Sequence, residues 1–112
     1  MWNEYFTHPD AKIYFMEYDA ACAAKWKSTN PRITITTGDQ ADKKVHEAFV
    51  KNHGKDFDLI IDDGGHTMKQ QKVTLDALFD AVKPGGIFVI EDLQTSFIAN
   101  YGGGYLQKGN GI

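Results

Sequence analysis

The chain has 112 residues, of which 42% are hydrophobic and 24% charged, and this balance is typical of an ordinary globular domain. Its net charge of −3 offers no basic surface for nucleic acid or an anionic membrane. No apolar run approaches the roughly 18 residues that span a bilayer. The single cysteine, Cys22, excludes an internal disulfide and fits a reducing compartment, so we expect one cytoplasmic domain.

Helical and strand patterns alternate along the whole chain. Apolar residues at helical spacing, bounded by caps, glycine or proline, predict helices near residues 2–6, 20–28, 41–52 and 67–82. Short apolar or β-branched runs predict strands near residues 12–17, 32–37, 57–62 and 86–91. This order predicts an α/β fold with a four-stranded parallel sheet and helices on both of its faces.

Local signals refine the helices. Thr67 and Gln70 have the spacing of a capping box, and the sequence Lys83–Gly86 is predicted to end the last helix sharply. Asp19 is a plausible N-cap for the second helix. In the third helix the residues predicted to face inward are Val45, Ala48 and Phe49. Three histidines lack the acidic strand-end context of His66 and are predicted at the surface: His8, His46 and His53.

Each predicted strand ends in one or two acids. These acids are Glu17, Asp39, Asp62-Asp63 and Glu91-Asp92. Because ligands bind at the carboxyl ends of strands in open α/β sheets, the acids predict a cleft for a ribose, an amine or a metal. Gly64, Gly65 and His66 follow the third strand, and we expect the glycines to adopt positive φ and to let backbone approach a ligand. For any single acid, a helix cap or a solvated loop residue is an equally good interpretation.

Other polar and aromatic residues give weaker signals. The acids predicted to lie in loops or on solvated faces are Asp10, Asp42, Asp56, Asp58, Asp76 and Asp80. Near the end of the chain, Tyr101 and Tyr105 flank three glycines. This segment is predicted either to shape a substrate loop or to fray as a terminal tail.

Two motifs, Asp62-Asp63-Gly64-Gly65-His66 and Ile90-Glu91-Asp92-Leu93-Gln94-Thr95-Ser96, carry a family resemblance. At these residues the chain resembles the class I S-adenosylmethionine-dependent methyltransferases. Within them it is most similar to the metal-dependent sugar O-methyltransferases of macrolide biosynthesis, the mycinamicin type. The similarity runs from Trp2 to about Gly104. The turn Lys83–Gly86 is common to most class I methyltransferases, so it supports the fold and not the subfamily.

The resemblance implies a role for each acid at the strand ends. The implied roles are ribose binding by Glu17, adenine contact by Asp39 and Gln40, Mg²⁺ binding by Asp63, Glu91 and Asp92, and proton abstraction by His66. Asp62 would contact the cofactor's amine or support the metal ligands. Mg²⁺ prefers oxygen ligands and would acidify a sugar or polyol hydroxyl. An imidazole could then take the proton as the oxygen attacks the sulfonium methyl group.

The sequence also departs from the family pattern. The family's first strand and its Gly-rich loop, which cradles the methionine part of the cofactor, have no counterpart here. The resemblance places that strand between the one ending at Glu17 and the one ending at Asp63. We therefore expect a gap or a forced direct pairing between those two strands. We also expect residues 1–112 to be a partial catalytic domain without turnover by itself.

Three functions stay open at this stage. The first is Mg²⁺-assisted methyl transfer from S-adenosylmethionine to a small-molecule sugar or polyol, with neither nucleic acid nor membrane as partner. The second is an inactive truncated remnant or a metal- or ligand-binding module. The third is another metal-dependent enzyme on the same scaffold, such as a hydroxylase-like relative. Cofactor binding would separate the first two, and no oligomeric state is predicted.

Overall fold

The computed structural model describes residues 1–26 and 29–104, and within them it confirms the α/β alternation. The helices are α1 (Trp2–Tyr5), α2 (Ala20–Lys25), α3 (Lys43–His53) and α4 (Met68–Leu78). The strands are β1 (Ile13–Glu17), β2 (Ile33–Thr37), β3 (Phe57–Asp62) and β4 (Val82–Ile90). Short 3₁₀ helices occupy Phe79–Ala81, Leu93–Phe97 and Ala99–Tyr101. The last residues of the predicted 20–28 helix, together with Tyr105, lie outside the described residues.

The strands pair in parallel, as predicted, but as two two-stranded sheets. β1 pairs with β2, so that Glu17 lies opposite Thr37. β3 pairs with β4, so that Asp62 lies opposite Ile90. In the described part of the chain the forced pairing of β1 with β3 does not occur. Parallel pairing brings the acid-bearing ends of each pair to one edge.

The chain divides into two compact units, Met1–Asp39 and Gln40–Ile112. In the first unit, Asp19 caps α2 as predicted, since its side chain accepts hydrogen bonds from the backbone N–H groups of Ala21 and Cys22. The Arg32 guanidinium donates to the backbone carbonyls of Asn3, Phe6 and His8. Among the described residues, no helix has the length and apolar character needed to cross a bilayer.

In the second unit, the sequence Lys83–Gly86 lies inside β4 and does not end a helix. The pairing register jumps here, because Phe57 lies opposite Val82 whereas Leu59 lies opposite Ile87. β4 therefore carries extra residues that bulge from the ladder. Gly85 has φ +81°, which glycine adopts without a steric penalty. The Pro-Gly signal thus marks an irregular strand, and α4 has already ended at Leu78.

The inner face of α3 is centred on a histidine. His46 is only 1% exposed, so its predicted surface position is wrong. Phe49 and Val50, one turn further along the helix, are half-buried with it, whereas Ala48 is exposed. The physical reason is a polar partner in the interior, since His46 Nε2 lies 2.8 Å from the backbone oxygen of Gln40.

Candidate functional site

The candidate site lies where β3 and β4 end side by side. The backbone N–H of Glu91 donates to the backbone oxygen of Asp62 at 2.9 Å, which extends the strand pairing by one residue. The chain therefore leaves both strands at the same edge. Asp63 and Asp92 are the first residues beyond this last hydrogen bond.

Three side chains converge at this edge. Asp63, His66 and Asp92 each offer one ligand atom, and these atoms all lie within 4.8 Å of one another. His66 Nε2 is 3.3 Å from Asp92 Oδ2. Both aspartates are exposed and His66 is half-buried, so the cluster is open to solvent. Glu91 is exposed and is not one of the three.

The start of α4 fixes where His66 lies. Thr67 is the N-cap, and its hydroxyl accepts a hydrogen bond from the Gln70 backbone N–H at 3.3 Å. The Gln70 side-chain oxygen accepts in turn from the Thr67 backbone N–H at 3.1 Å. The predicted capping box is therefore present. Because His66 directly precedes this cap, its backbone position follows from the first turn of the helix.

Gly64 and Gly65 are required for close packing and not for positive φ. The described glycines with positive φ are Gly54, Gly85 and Gly102, so the expected left-handed turn at Gly64-Gly65 is wrong. A Cβ atom added at Gly64 would overlap Gln40 Oε1, and one at Gly65 would overlap the Gln70 amide. Two side-chain amides thus occupy the space that these glycines leave.

The loop after β4 has a different construction. Asp92 adopts the left-handed conformation, with φ 55° and ψ 39°. Its backbone oxygen accepts from Thr95 N at 3.3 Å and from Thr95 Oγ1 at 3.1 Å, and Gln94 Nε2 donates to its Oδ1 at 3.1 Å. One further bond comes from α4, where Gln71 Nε2 donates to the backbone oxygen of Glu91 at 3.1 Å.

Asp62 and Gln40 bond to each other. Asp62 is 8% exposed, and its two carboxylate oxygens accept from Gln40 Nε2 at 3.0 and 3.2 Å. The Gly64 backbone N–H donates to the same carboxylate at 3.2 Å. For Asp62, this geometry favours support of the turn over contact with a cofactor amine. The side chain of Gln40, predicted beside an adenine, is likewise engaged inside the second unit.

Glu17 and Asp39 both belong to the first unit. Glu17 Oε1 accepts a hydrogen bond from the Asp19 backbone N–H at 2.9 Å, and the Glu17 backbone oxygen accepts from Gly38 N at 3.0 Å. Asp39, the residue after Gly38, is exposed. Glu17 is thus the last residue of β1, and Asp39 lies two residues beyond the end of β2. Both are at the carboxyl ends of their strands, as the sequence predicts.

Sequence reasoning missed the buried polar residues behind the site. Gln71 is fully buried and Thr74 is 6% exposed. With Leu78 they recur at spacings of three and four residues, which puts them on one face of α4. Two polar residues on the apolar stripe of a helix were the available signal, because such groups need partners in the interior.

The donor set suits a divalent cation. Asp63 and Asp92 supply carboxylate oxygens, the ligands that Mg²⁺ prefers, and their exposure leaves room for water or a substrate oxygen. His66 supplies a nitrogen, which Mg²⁺ favours less. The set is therefore consistent with two carboxylate ligands and an adjacent proton acceptor.

The chain has relatives among curated proteins. No protein-family model matches the chain. It is 35% identical over 111 residues to the 8-demethyl-8-(2-methoxy-alpha-L-rhamnosyl)-tetracenomycin-C 3'-O-methyltransferase of Streptomyces olivaceus, a match that covers 99% of this chain and 27% of that protein. It is 34% identical over 103 residues to the mycinamicin VI 2''-O-methyltransferase of Micromonospora griseorubida, which covers 92% of this chain and 24% of that protein.

A solved structure matches as well. The MycE methyltransferase from the mycinamycin biosynthetic pathway, in complex with Mg, SAH and mycinamycin VI, superposes with a TM-score of 0.76 at 32% identity. The match covers 92% of this chain and 25% of MycE. The family resemblance is confirmed, since the homologues are sugar O-methyltransferases. The structural match confirms the predicted fold class. The chain spans about a quarter of the length of the relatives it matches.

Proposed function

We propose, from the homology of this chain with the sugar O-methyltransferases, that it serves methyl transfer from S-adenosylmethionine to a sugar or polyol hydroxyl. The observation that carries the proposal is the convergence of Asp63, His66 and Asp92 within 4.8 Å at the tips of two paired strands. Relatives whose names describe methylation of rhamnosyl and mycinamicin substrates support a small-molecule sugar as the acceptor.

Each residue of the cluster has a defined task in this proposal. Asp63 and Asp92 would hold Mg²⁺, and the exposed Glu91 beside Asp92 would complete the ligand set that the resemblance implies. Bound Mg²⁺ supplies the charge that lowers the pKa of the acceptor hydroxyl.

His66 accepts the hydroxyl proton, and Asp92 Oδ2, 3.3 Å from Nε2, orients the imidazole. The acceptor oxygen bonds to the methyl carbon while the carbon–sulfur bond breaks, which leaves S-adenosylhomocysteine. His66 holds the proton until solvent removes it.

The cofactor side of the proposal rests on the first unit. Glu17 would bind the ribose hydroxyls and Asp39 the adenine, because both lie at the carboxyl ends of the paired strands β1 and β2, where ligands bind in open α/β sheets. A cytoplasmic location belongs to the same proposal and is based on the single cysteine.

A second candidate is a cation-binding module without catalysis. All three residues of the cluster lie in the unit that begins at Gln40, whereas Glu17 and Asp39 lie in the other unit. Cation binding therefore requires no residue of the proposed cofactor side. The two candidates agree on the metal site and differ in whether S-adenosylmethionine binds.

Calorimetry on the protein would test both candidates. Mg²⁺ is titrated with and without S-adenosylmethionine, and methyl transfer to a rhamnoside acceptor is followed in parallel. Heat from Mg²⁺ and from S-adenosylmethionine, with methyl transfer, supports the enzyme. Heat from Mg²⁺ alone supports the module. The matched variants are Asp63→Asn, which should lose the Mg²⁺ heat, and the exposed Asp76→Asn, which should retain it. Unchanged Mg²⁺ binding in Asp63→Asn would contradict both.

A further inference from the structure

We infer that Gln40 is a positioning residue that sets the shape of the Asp62–His66 turn and so places Asp63 and His66. This inference rests on the proposed function, because it assigns the residue that holds one half of the proposed site. Gln40 begins the second unit, 22 positions before Asp62. It contacts the turn through its side chain and α3 through its backbone.

Both polar atoms of the Gln40 amide form hydrogen bonds around the turn. Oε1 accepts from the Gly65 backbone N–H at 2.5 Å. Nε2 donates to the Asp62 carboxylate at 3.0 and 3.2 Å and to Thr74 Oγ1 at 3.0 Å. One side chain thus bonds to the residue before Asp63, to the residue before His66 and to α4.

The chemistry of these partners admits one orientation of the amide. A carboxylate only accepts hydrogen bonds, and a backbone N–H only donates them. Rotating the amide by 180° would place Oε1 against the Asp62 carboxylate and Nε2 against the Gly65 N–H. Both contacts would then be repulsive in a part-buried site, where an unpaired polar group costs more than it does in solvent.

The backbone of Gln40 is also held. His46 Nε2 lies 2.8 Å from the Gln40 oxygen, and because a carbonyl only accepts, this nitrogen carries the proton. His46 is 1% exposed, so the bond is protected from water. The Gln40 side chain is held as well. Its Nε2 donates to Thr74 Oγ1, and this hydroxyl donates in turn to the Gln70 backbone oxygen at 3.1 Å, so the amide is linked to α4.

A polarity swap tests this assignment. Gln40→Glu removes the N–H donor and places two carboxylates face to face, whereas Asp62→Asn leaves one oxygen to accept and places its amide nitrogen against Gln40 Nε2. In the double variant, the new amide at position 62 would donate to the new carboxylate at position 40, which would still accept from the Gly65 N–H. Each single variant should weaken Mg²⁺ binding by roughly 10- to 100-fold, the range seen for residues that orient metal ligands. The double variant should recover most of the loss.

The readout that does not depend on the metal is hydrogen exchange of the Gly65 amide. In Gln40→Glu the repulsion between the carboxylates at positions 40 and 62 should move the new carboxylate away from the Gly65 N–H, so exchange should accelerate at least about tenfold, which corresponds to losing one part-buried hydrogen bond, and it should return towards the wild-type rate in the double variant. Gln94→Glu is the charge control, because it adds the same charge beside Asp92 without touching the turn. Gly65 exchange should not change in that variant.

The results separate the possible failures. Unchanged Gly65 exchange in Gln40→Glu would overturn the inference. A folded double variant whose exchange stays as fast as in the single variants would overturn it too. If the wild type binds no Mg²⁺ but shows the predicted exchange pattern, the proposed function fails while the role of Gln40 in the turn stands. If Gln40→Glu unfolds and the double variant folds with Gly65 protected, the rescue supports the pairing.

Discussion

The two loops that carry the site are held by different means. After β3, the turn that contains Asp63 and His66 is bonded to the side chain of Gln40, a residue distant in sequence, and Gln40 donates in addition to Thr74 of α4. After β4, Asp92 depends on contacts within its own loop, one bond from Gln71 and a left-handed backbone. The first loop is therefore fixed by tertiary hydrogen bonds and the second mainly by the conformation of one residue.

The comparison suggests where each loop is vulnerable. Loss of a buried hydrogen-bond partner leaves a polar group unsatisfied, at a cost of about 1–3 kcal/mol. A left-handed residue other than glycine costs about 1–2 kcal/mol, although aspartate tolerates the conformation better than most residues. Substitutions in the β3 loop should therefore act through lost partners, and those in the β4 loop through backbone strain.

The largest expected effect comes from the β3 loop, which contains the proposed proton acceptor. His66→Ala should lower kcat for methyl transfer by roughly 10²- to 10⁴-fold, the usual range for loss of a general base. S-adenosylmethionine affinity should barely change, because the proposed cofactor acids lie in the other unit. Single-turnover rates and cofactor calorimetry provide the two measurements.

The exposed His8→Ala is a matched control, and we expect it to keep full activity. Unchanged turnover in His66→Ala would refute the base role. Equal loss of turnover and cofactor binding would instead make His66 part of the cofactor site.

The next prediction compares the two loops through the proposed metal ligand that each contains. Asp63→Asn and Asp92→Asn should each reduce Mg²⁺ affinity by at least about tenfold, since each replaces a charged oxygen ligand. Neither should lower stability strongly, because asparagine fits the exposed Asp63 position and tolerates the left-handed conformation of Asp92. Calorimetry and urea unfolding measure the two quantities. A normal affinity in either variant would remove that aspartate from the ligand set.

A smaller effect isolates the backbone of the β4 loop. Asp92→Gly should raise the free energy of unfolding by about 1 kcal/mol, because glycine adopts the left-handed conformation without the Cβ penalty. The same variant should weaken Mg²⁺ binding. Asp56→Gly is the matched control, since Asp56 has φ 70° and lies outside the cluster. It should gain similar stability in urea unfolding and keep its metal affinity. A loss of stability in both variants would argue against strain at these positions.

The smallest effect concerns the opposite end of the same strand pair. Lys83 forms a salt bridge with Asp58, which holds the pKa of this exposed carboxyl below its usual value of 3.8. A lowered folded-state pKa means that the stabilising contribution is present above pH 3.8 and disappears as the pH falls through the folded-state pKa. In Lys83→Met the Asp58 pKa should return upward in an NMR titration, and the stability difference from wild type should vanish at low pH. A pKa that does not move would exclude the ion pair.

The elements were predictable because their signals are local. Apolar runs, the Asp19 cap and the Thr67–Gln70 box depend on neighbours a few residues away, and the strand ends were correct to within a residue or two, except at the start of β4. That start lies at Val82 because the bulge at Lys83–Gly86 depends on pairing with a distant strand. The division into two sheets is likewise a matter of long-range pairing.

The candidate site was predictable in position more than in detail. Two acids after apolar runs indicate neighbouring strand tips, and Asp63 and Asp92 do lie together. Which side chains bond behind them could not be predicted, because the hydrogen bonds of Gln40, His46 and Gln71 join partners 6 to 34 positions apart. The sequence around a polar residue does not identify the distant residue with which it forms a hydrogen bond.

The close approach of Gly64 to Gln40 has an evolutionary consequence. A Cβ at position 64 would overlap the Gln40 amide, so an alanine there would push the end of this side chain away from its partners unless position 40 had first acquired a shorter residue. A shorter residue at position 40 would in turn leave the Gly65 N–H and the Asp62 carboxylate without their partner. Each single step is thus harmful on its own, and among related sequences the two positions should be retained together or change together.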